Sequence, residues 1–213
     1  MKLRGRSIAA DDRARILRAL KQHHAEDFEA LRTAALVHLA WCSALRLGEC
    51  CALDVGQLVE LGPAGGFKIR ATGDVRRDQA KGGDEWTSAG QFVVTHPARE
   101  ALGQYLREAR RRRWLDLKLA TAPAFIAARR HCRLTPRAAR KAWMRVQARA
   151  GVVTPYRFHD LRHDAITRFA EACNGNPWKV AQYGRFDVST AFHYVHGSID
   201  AIGAVADRAA RTG

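Results

Sequence analysis

The reading of this chain turns on Phe158-His159-Asp160-Leu161-Arg162-His163 and, further on, Tyr183-Gly184-Arg185-Phe186-Asp187-Val188-Ser189-Thr190-Ala191-Phe192-His193-Tyr194. His159 and Arg162 stand at i and i+3, so a helix puts both on one face. There an acid/base group and a fixed cation can grip one phosphate. The downstream tyrosine can supply a nucleophile. The same His-Asp-x-x-His string also mimics a zinc-binding helix with an acid beside its first ligand. No third ligand follows at a useful spacing, and Arg162 would set a cation beside the metal. Read alone, Tyr194 would usually be a core or surface aromatic, and His159 more often a helix-capping or packing histidine.

Working outward, the charge balance agrees with a phosphate partner. The 213 residues hold 36 Lys and Arg against 21 Asp and Glu, a net charge of +15. An excess of that size is the electrostatic footprint of a polyanion binder; the plainer alternative is a basic protein with no nucleic-acid role. Hydrophobic content of 47% supports a sizeable core without covalent staples. The five cysteines, Cys42, Cys50, Cys51, Cys132 and Cys173, form no CxxC pair. They read as free thiols of a reducing cytoplasm rather than a zinc knuckle or a disulfide framework. No apolar run is long enough for a membrane span, and the basic Lys2, Arg4 and Arg6 lead into no secretory h-region.

Apolar periodicity predicts helices over 11–24, 27–43, 97–113, 135–150, 159–172 and a short one from Asn176-Pro177 to Gly184. Thr135-Pro136 is an N-cap followed by proline at the first turn. Residues 66–75 alternate and read as a strand, returned by 91–95, with polar turn chemistry between them around Lys81-Gly82-Gly83-Asp84. Residues 198–210 repeat Ile199, Ile202, Val205 and Ala209, an amphipathic tail. The expected fold is mainly α with a small antiparallel β-sheet, an α+β domain.

These pieces resemble the catalytic domain of the tyrosine recombinase (phage integrase) family, in the family's order. Ala44-Leu45-Arg46-Leu47-Gly48-Glu49, followed by Leu53-Asp54, is similar to the first arginine motif. The strand–turn–strand over 66–95 resembles the hairpin that carries the family's lysine. His159-Asp160-Leu161-Arg162-His163 matches the His-x-x-Arg motif. Gly184 through Tyr194-Val195-His196 resembles the last motif. Four motifs in order are far more specific than any one. The resemblance implies an N-terminal arm (1–8), a catalytic domain (9–197) and a tail helix (198–213) exchanged between protomers. Most family members carry a separate DNA-clamping domain before the catalytic domain, and this chain starts almost at the catalytic domain, so the expectation is either a fragment or a minimal recombinase that grips DNA from one side.

What the resemblance implies chemically suits the residue types. Arg46 and Arg162 would bind the non-bridging oxygens of a scissile phosphodiester with paired donors, charged at any working pH. Tyr194 would attack phosphorus and form a 3′-phosphotyrosyl bond. His159 would move its proton, and a lysine would protonate the leaving 5′-oxygen. Lys81, nearest the turn, is the first candidate and Lys68 the second. His163 would stand behind the reacting groups, and Glu49 would support the fold or orient Arg46. No metal, cofactor or ATP is implied, because the covalent bond conserves the phosphodiester energy. The implied partners are duplex DNA and further protomers, a monomer in free solution and a tetramer in the synapse, with Holliday-junction exchange; no membrane is implied. The chain departs from the family where His, or sometimes Trp, follows the last motif's glycine. It has Arg185, either a third cation or a cause of reduced activity. Tyr183 replaces the usual leucine and adds a competing phenol. A decayed scaffold that binds DNA without cutting it is the alternative this departure raises.

Overall fold

The computed structural model describes residues 6–22, 27–62, 66–79 and 89–195. Nine helices and four short strands lie within them: α1 (Ala10–Lys21), α2 (Phe28–Ser43), α3 (Leu47–Ala52), α4 (Val55–Leu58), β1 (Val59–Leu61), β2 (Phe67–Ile69), β3 (Thr72–Val75), β4 (Gly90–Val93), α5 (His96–Arg111), α6 (Pro136–Arg149), α7 (Phe158–Ala172), α8 (Pro177–Gly184) and α9 (Val188–Ala191). The expected α+β class is what the structure shows, with helices dominant.

The molecule is organised around α2. Asp27 caps its start by accepting from the Ala30 amide at 3.0 Å. Leu31, Ala35, Leu36, Val37, Leu39 and Ala40 are all buried, so the helix is apolar on nearly every side. Such a helix belongs at a centre rather than at a surface. It packs against α1, α5, α6 and α7. Asp164 of α7 ties these elements together. It accepts from the Trp41 indole N–H at 2.7 Å, the Ile8 amide at 3.0 Å and the Arg168 guanidinium at 2.9 Å. Losing that carboxylate would strand buried donors at roughly 1–3 kcal/mol each. The end of α2 and the start of α7, which carry the two candidate arginine segments, are thereby held in fixed register.

The N-terminal segment is less free than the sequence suggests. Ile8 is buried, the Arg6 guanidinium donates to the Thr154 and Pro155 carbonyls, and it lies over the Tyr156 ring at 4.1 Å. Residues 198–213, the expected tail helix, lie outside the described residues.

The single strand expected over 66–75 is two strands in two separate antiparallel sheets. β2 pairs with β1, Glu60 opposite Lys68; β3 pairs with β4, Gly73 opposite Phe92. The chain changes partner at the break: the Arg70 amide donates to the Leu58 carbonyl, and the Ala71 carbonyl accepts from Val94. β1 had no sequence signal because it runs straight on from the four-residue α4. A β-carbon at Gly73 would come 2.3 Å from the Phe92 ring, so the hairpin needs glycine there.

Candidate active site

Three arginines converge where the ends of α2, α7 and α8 meet. Their positions follow from local chain geometry. α2 stops because Ala44 takes a left-handed conformation (φ 50°), which turns the chain so that Arg46 opens α3. The Arg46 amide and side chain both donate to Glu49, at 2.8 and 2.9 Å, a capping box closed by an ion pair. α8 stops in the same way. Arg185 is left-handed (φ 51°), with the Phe186 amide returning to the Ala181 carbonyl at 3.2 Å. A β-carbon at Gly184 would lie 2.0 Å from the Phe186 ring, so only glycine admits this turn. Two non-glycine residues held left-handed at one place is stored backbone strain of the kind that gathers at functional sites.

Arg162 bridges the two turns. Its guanidinium donates to the Ala44 carbonyl and to the Gly184 carbonyl, and the residue is 3% exposed. Burial, then Arg46 and Arg185 beside it, pull its pKa down to about 9, which still leaves it charged at neutral pH. Arg185 folds inward. It donates to the Glu49 carboxylate at 2.7 Å and to the Ser43 and Ala44 carbonyls at 3.3 and 3.4 Å. Burial lowers its pKa and Glu49 opposes the shift. Glu49, itself buried, is thus gripped by Arg46 through one oxygen and by Arg185 through the other.

His159 sits in the first turn of α7, which Arg157 and Asp160 cap reciprocally. Desolvation, and then the Arg162 charge, lower its pKa. At neutral pH it is therefore an uncharged imidazole able to accept a proton. His163, one turn on, lies beside the Tyr194 ring at 5.2 Å between centroids. Its Nδ1 is buried without a protein partner. On the other side Phe186 stacks on Tyr194 at 5.7 Å. Burial raises the Tyr194 pKa, while Arg162 and Arg46 pull it back. Arg46 and Arg162 thus lie within electrostatic reach of both His159 and Tyr194.

The competing phenol is occupied elsewhere. The Tyr183 hydroxyl donates to the Cys42 carbonyl at 3.0 Å, its ring stacks on Phe169 at 4.1 Å, and burial pushes its pKa up to about 12. Of the two candidate lysines, Lys68 lies on the β1–β2 hairpin, exposed and paired with Glu60 at 3.1 Å. Lys81 falls between β3 and β4, outside the described residues. That second hairpin reaches the site: Phe92 packs under the Arg185 guanidinium at 6.0 Å. Among the described residues, no group of three or more His, Cys, Asp or Glu could hold a metal ion. No described helix is long and apolar enough to cross a membrane. The backbone carbonyls of Ser43, Ala44 and Gly184, which hold the two buried arginines, have no side-chain signature and were not legible in the sequence.

Comparison with known proteins gives one consistent result. The sequence profile of the phage integrase family matches residues 6–199. A tyrosine recombinase XerC of Azotobacter vinelandii is 30% identical over 193 residues, covering 86% of this chain and 54% of that protein. The chain therefore spans about half the length of this curated relative. Among solved structures, XerA recombinase superposes with a TM-score of 0.65 at 20% identity, over 98% of this chain and 66% of the other. XerH recombinase bound to difH substrate in a pre-cleavage complex gives 0.67 at 17%, over 97% and 55%. The Tn1549 transposon integrase (residues 82–397 of that protein) in complex with circular intermediate DNA gives 0.67 at 13%, over 97% and 68%.

Proposed function

The chain belongs to the phage integrase family of tyrosine recombinases, and on that premise we propose that it cleaves and rejoins duplex DNA through a 3′-phosphotyrosyl intermediate. One observation carries the reading. A buried, charged Arg162 and a partly exposed Arg46 flank the same tyrosine, with a neutral histidine beside them. Cations held out of water beside a phenol serve an anion that arrives from outside.

In the proposed reaction the Tyr194 oxygen attacks the scissile phosphorus and gives its proton to His159. Arg46 and Arg162 take up the charge that grows on the non-bridging oxygens. The bond from phosphorus to the 5′-oxygen breaks, and Lys81 protonates that oxygen. Attack by a 5′-hydroxyl of another strand reverses these steps and releases the tyrosine. The phosphodiester energy is kept in the protein–DNA bond, so the cycle needs no ATP. Helix α6 offers an exposed basic face, with Arg137, Arg140, Lys141, Arg145 and Arg149, suited to DNA phosphates and groove edges. We assign it to DNA contact, with monomers assembling into a tetramer on the DNA.

The test is covalent capture. The protein is incubated, without metal, with nicked duplexes drawn from its own flanking sequence, and denaturing gels are read for protein-linked DNA. An adduct made by the natural chain and lost in Tyr194→Phe supports the reading. Sequence-selective binding with no adduct would instead mean a scaffold that binds DNA without cutting it.

A further inference from the structure

Arg185 occupies the position at which the family presents histidine or tryptophan, and its guanidinium folds inward. It is 4% exposed in its side chain and lies against Glu49, which is 1% exposed. It also reaches the Ser43 and Ala44 carbonyls at the left-handed turn that launches Arg46. Glu49 holds Arg46 by its other oxygen. We propose that Arg185 is a positioning residue: it neutralises Glu49 from inside the protein, so that the Arg46 guanidinium stays available to the scissile phosphate. This rests on the strand-transfer reading above.

The electrostatic argument has two steps. A buried carboxylate left with a single cationic side chain binds it tightly, because the carboxylate has no water to turn to. With Arg185 removed, Arg46 becomes the nearest cation able to satisfy Glu49, and the phosphate must compete with Glu49 for it. With Arg185 present, the carboxylate is already neutralised on its inner side. Arg46, with 30% of its side chain exposed, keeps its outward donors for substrate. The Ala44 carbonyl, shared by Arg162 and Arg185, couples the second arginine to the same arrangement. A guanidinium also brings no ionisation near neutral pH, so this position adds no proton transfer.

The experiment is a double-mutant cycle on adduct formation, measured at saturating and sub-saturating nicked DNA, with thermal unfolding of each variant. Arg185→Met should lower the saturated rate about 10- to 100-fold with little change in the DNA concentration at half-rate. Adding Glu49→Gln should recover most of that loss, because the competing charge is gone. Arg185→Lys, which keeps the charge but serves fewer acceptors, should melt earlier than the natural chain and retain most of its rate. If Arg185→Met folds poorly, Arg185→Gln, which removes the charge but can still donate to the Ser43 and Ala44 carbonyls, takes its place in the cycle with the same expected loss and the same rescue by Glu49→Gln. A direct phosphate ligand would leave the double variant as slow as Arg185→Met, and that result overturns the proposal. A purely structural Arg185 would shift melting in every variant while rates per folded molecule stay unchanged, which overturns it too. If the natural chain forms no adduct at all, the strand-transfer reading fails first and takes this role with it. An adduct from the natural chain without rescue in the double variant removes this role alone.

Discussion

Glu49 and Asp54 stand close together in the chain, and each carboxylate is buried and bound by two arginines, yet the two clusters differ in where the arginines lead. Asp54 is held by Arg76 at 2.7 Å and by Arg133 at 2.5 Å, side chains 44% and 41% exposed. Arg133 also caps the Cys51, Ala52 and Leu53 carbonyls. Burial alone would raise the Asp54 pKa, and the hydrogen bonds from Arg133 and Arg76 outweigh it. This is a bracket that closes the end of α3, and its cations spend their outer faces on water. At Glu49 one arginine, Arg185, turns inward while Arg46 stays partly open, and Arg162 lies beside them, its guanidinium donating to the Ala44 and Gly184 carbonyls. Solvent-backed cations stabilise a loop. Dehydrated cations in excess of their carboxylate stand ready for an anion.

The largest effects should separate the two phenols and the two kinds of arginine. Tyr194→Phe should abolish covalent DNA capture, whereas Tyr183→Phe should keep it and lose about 1 kcal/mol of stability with its hydrogen bond to Cys42. Capture by Tyr194→Phe that disappears only in Tyr183→Phe would reverse the assignment. Arg162→Lys should slow capture by roughly 100- to 1,000-fold, because a lysine cannot span the Ala44 and Gly184 carbonyls and still present paired donors. Arg133→Lys, in the solvent-backed bracket, should leave the rate per folded molecule within about threefold of the natural chain. A comparable rate loss in both variants would dissolve the contrast.

Stability should rank the clusters in the same order. Glu49→Gln leaves the buried Arg185 charge facing a neutral amide, a change worth about 3–5 kcal/mol. Asp54→Asn strands arginines that can rehydrate, which lowers the cost to about 1–2 kcal/mol. Urea unfolding of the two variants against the natural chain reads the difference. Equal losses would show that inward and outward arginines are alike in cost.

Much of this arrangement was legible in the chain, and the illegible part has a physical reason. Helices announce themselves through apolar spacing, so α2, α5, α6 and α7 fall close to where periodicity puts them. Arg46 and His159 stand at helix starts whose cap residues are also in the sequence, and Arg162 follows His159 by one turn, so the placement of these three was readable from spacing. The partner change at Arg70-Ala71 has no such mark: the residues alternate smoothly while the backbone switches hairpins. Nor does sequence show which way a long side chain folds. Arg185 reads as a cation for the phosphate by position, and only the left-handed turn at 185 and the carbonyls of Ser43 and Ala44 turn it inward.

The smallest effect is on pH, and it separates the buried histidines from the carboxylates. Burial lowers the pKa of His38, His159 and His163 below the ordinary histidine value of 6.5. The unfolded chain therefore binds more protons than the native protein as pH falls through that value, and stability drops with it. The loss begins near pH 7, grows until the native histidines themselves protonate, and then levels off. The carboxylates held by arginine act lower. Glu108, whose pKa Arg111 and Arg112 lower to about 2, contributes stability above the ordinary glutamate value and loses it only as pH falls toward the native one. Melting temperature followed from pH 7.5 to 5.5 should thus decline by a few degrees before any carboxylate protonates. His163→Phe should flatten part of that decline, since its ring already packs on Tyr194 and its Nδ1 has no protein partner to lose. The same window should govern the reaction. Covalent capture should hold steady from pH 8 down to about 6.5 and fall below it as His159 takes up a proton and stops accepting one from Tyr194. An acid limb that persists unchanged in His159→Gln would place the proton acceptor elsewhere.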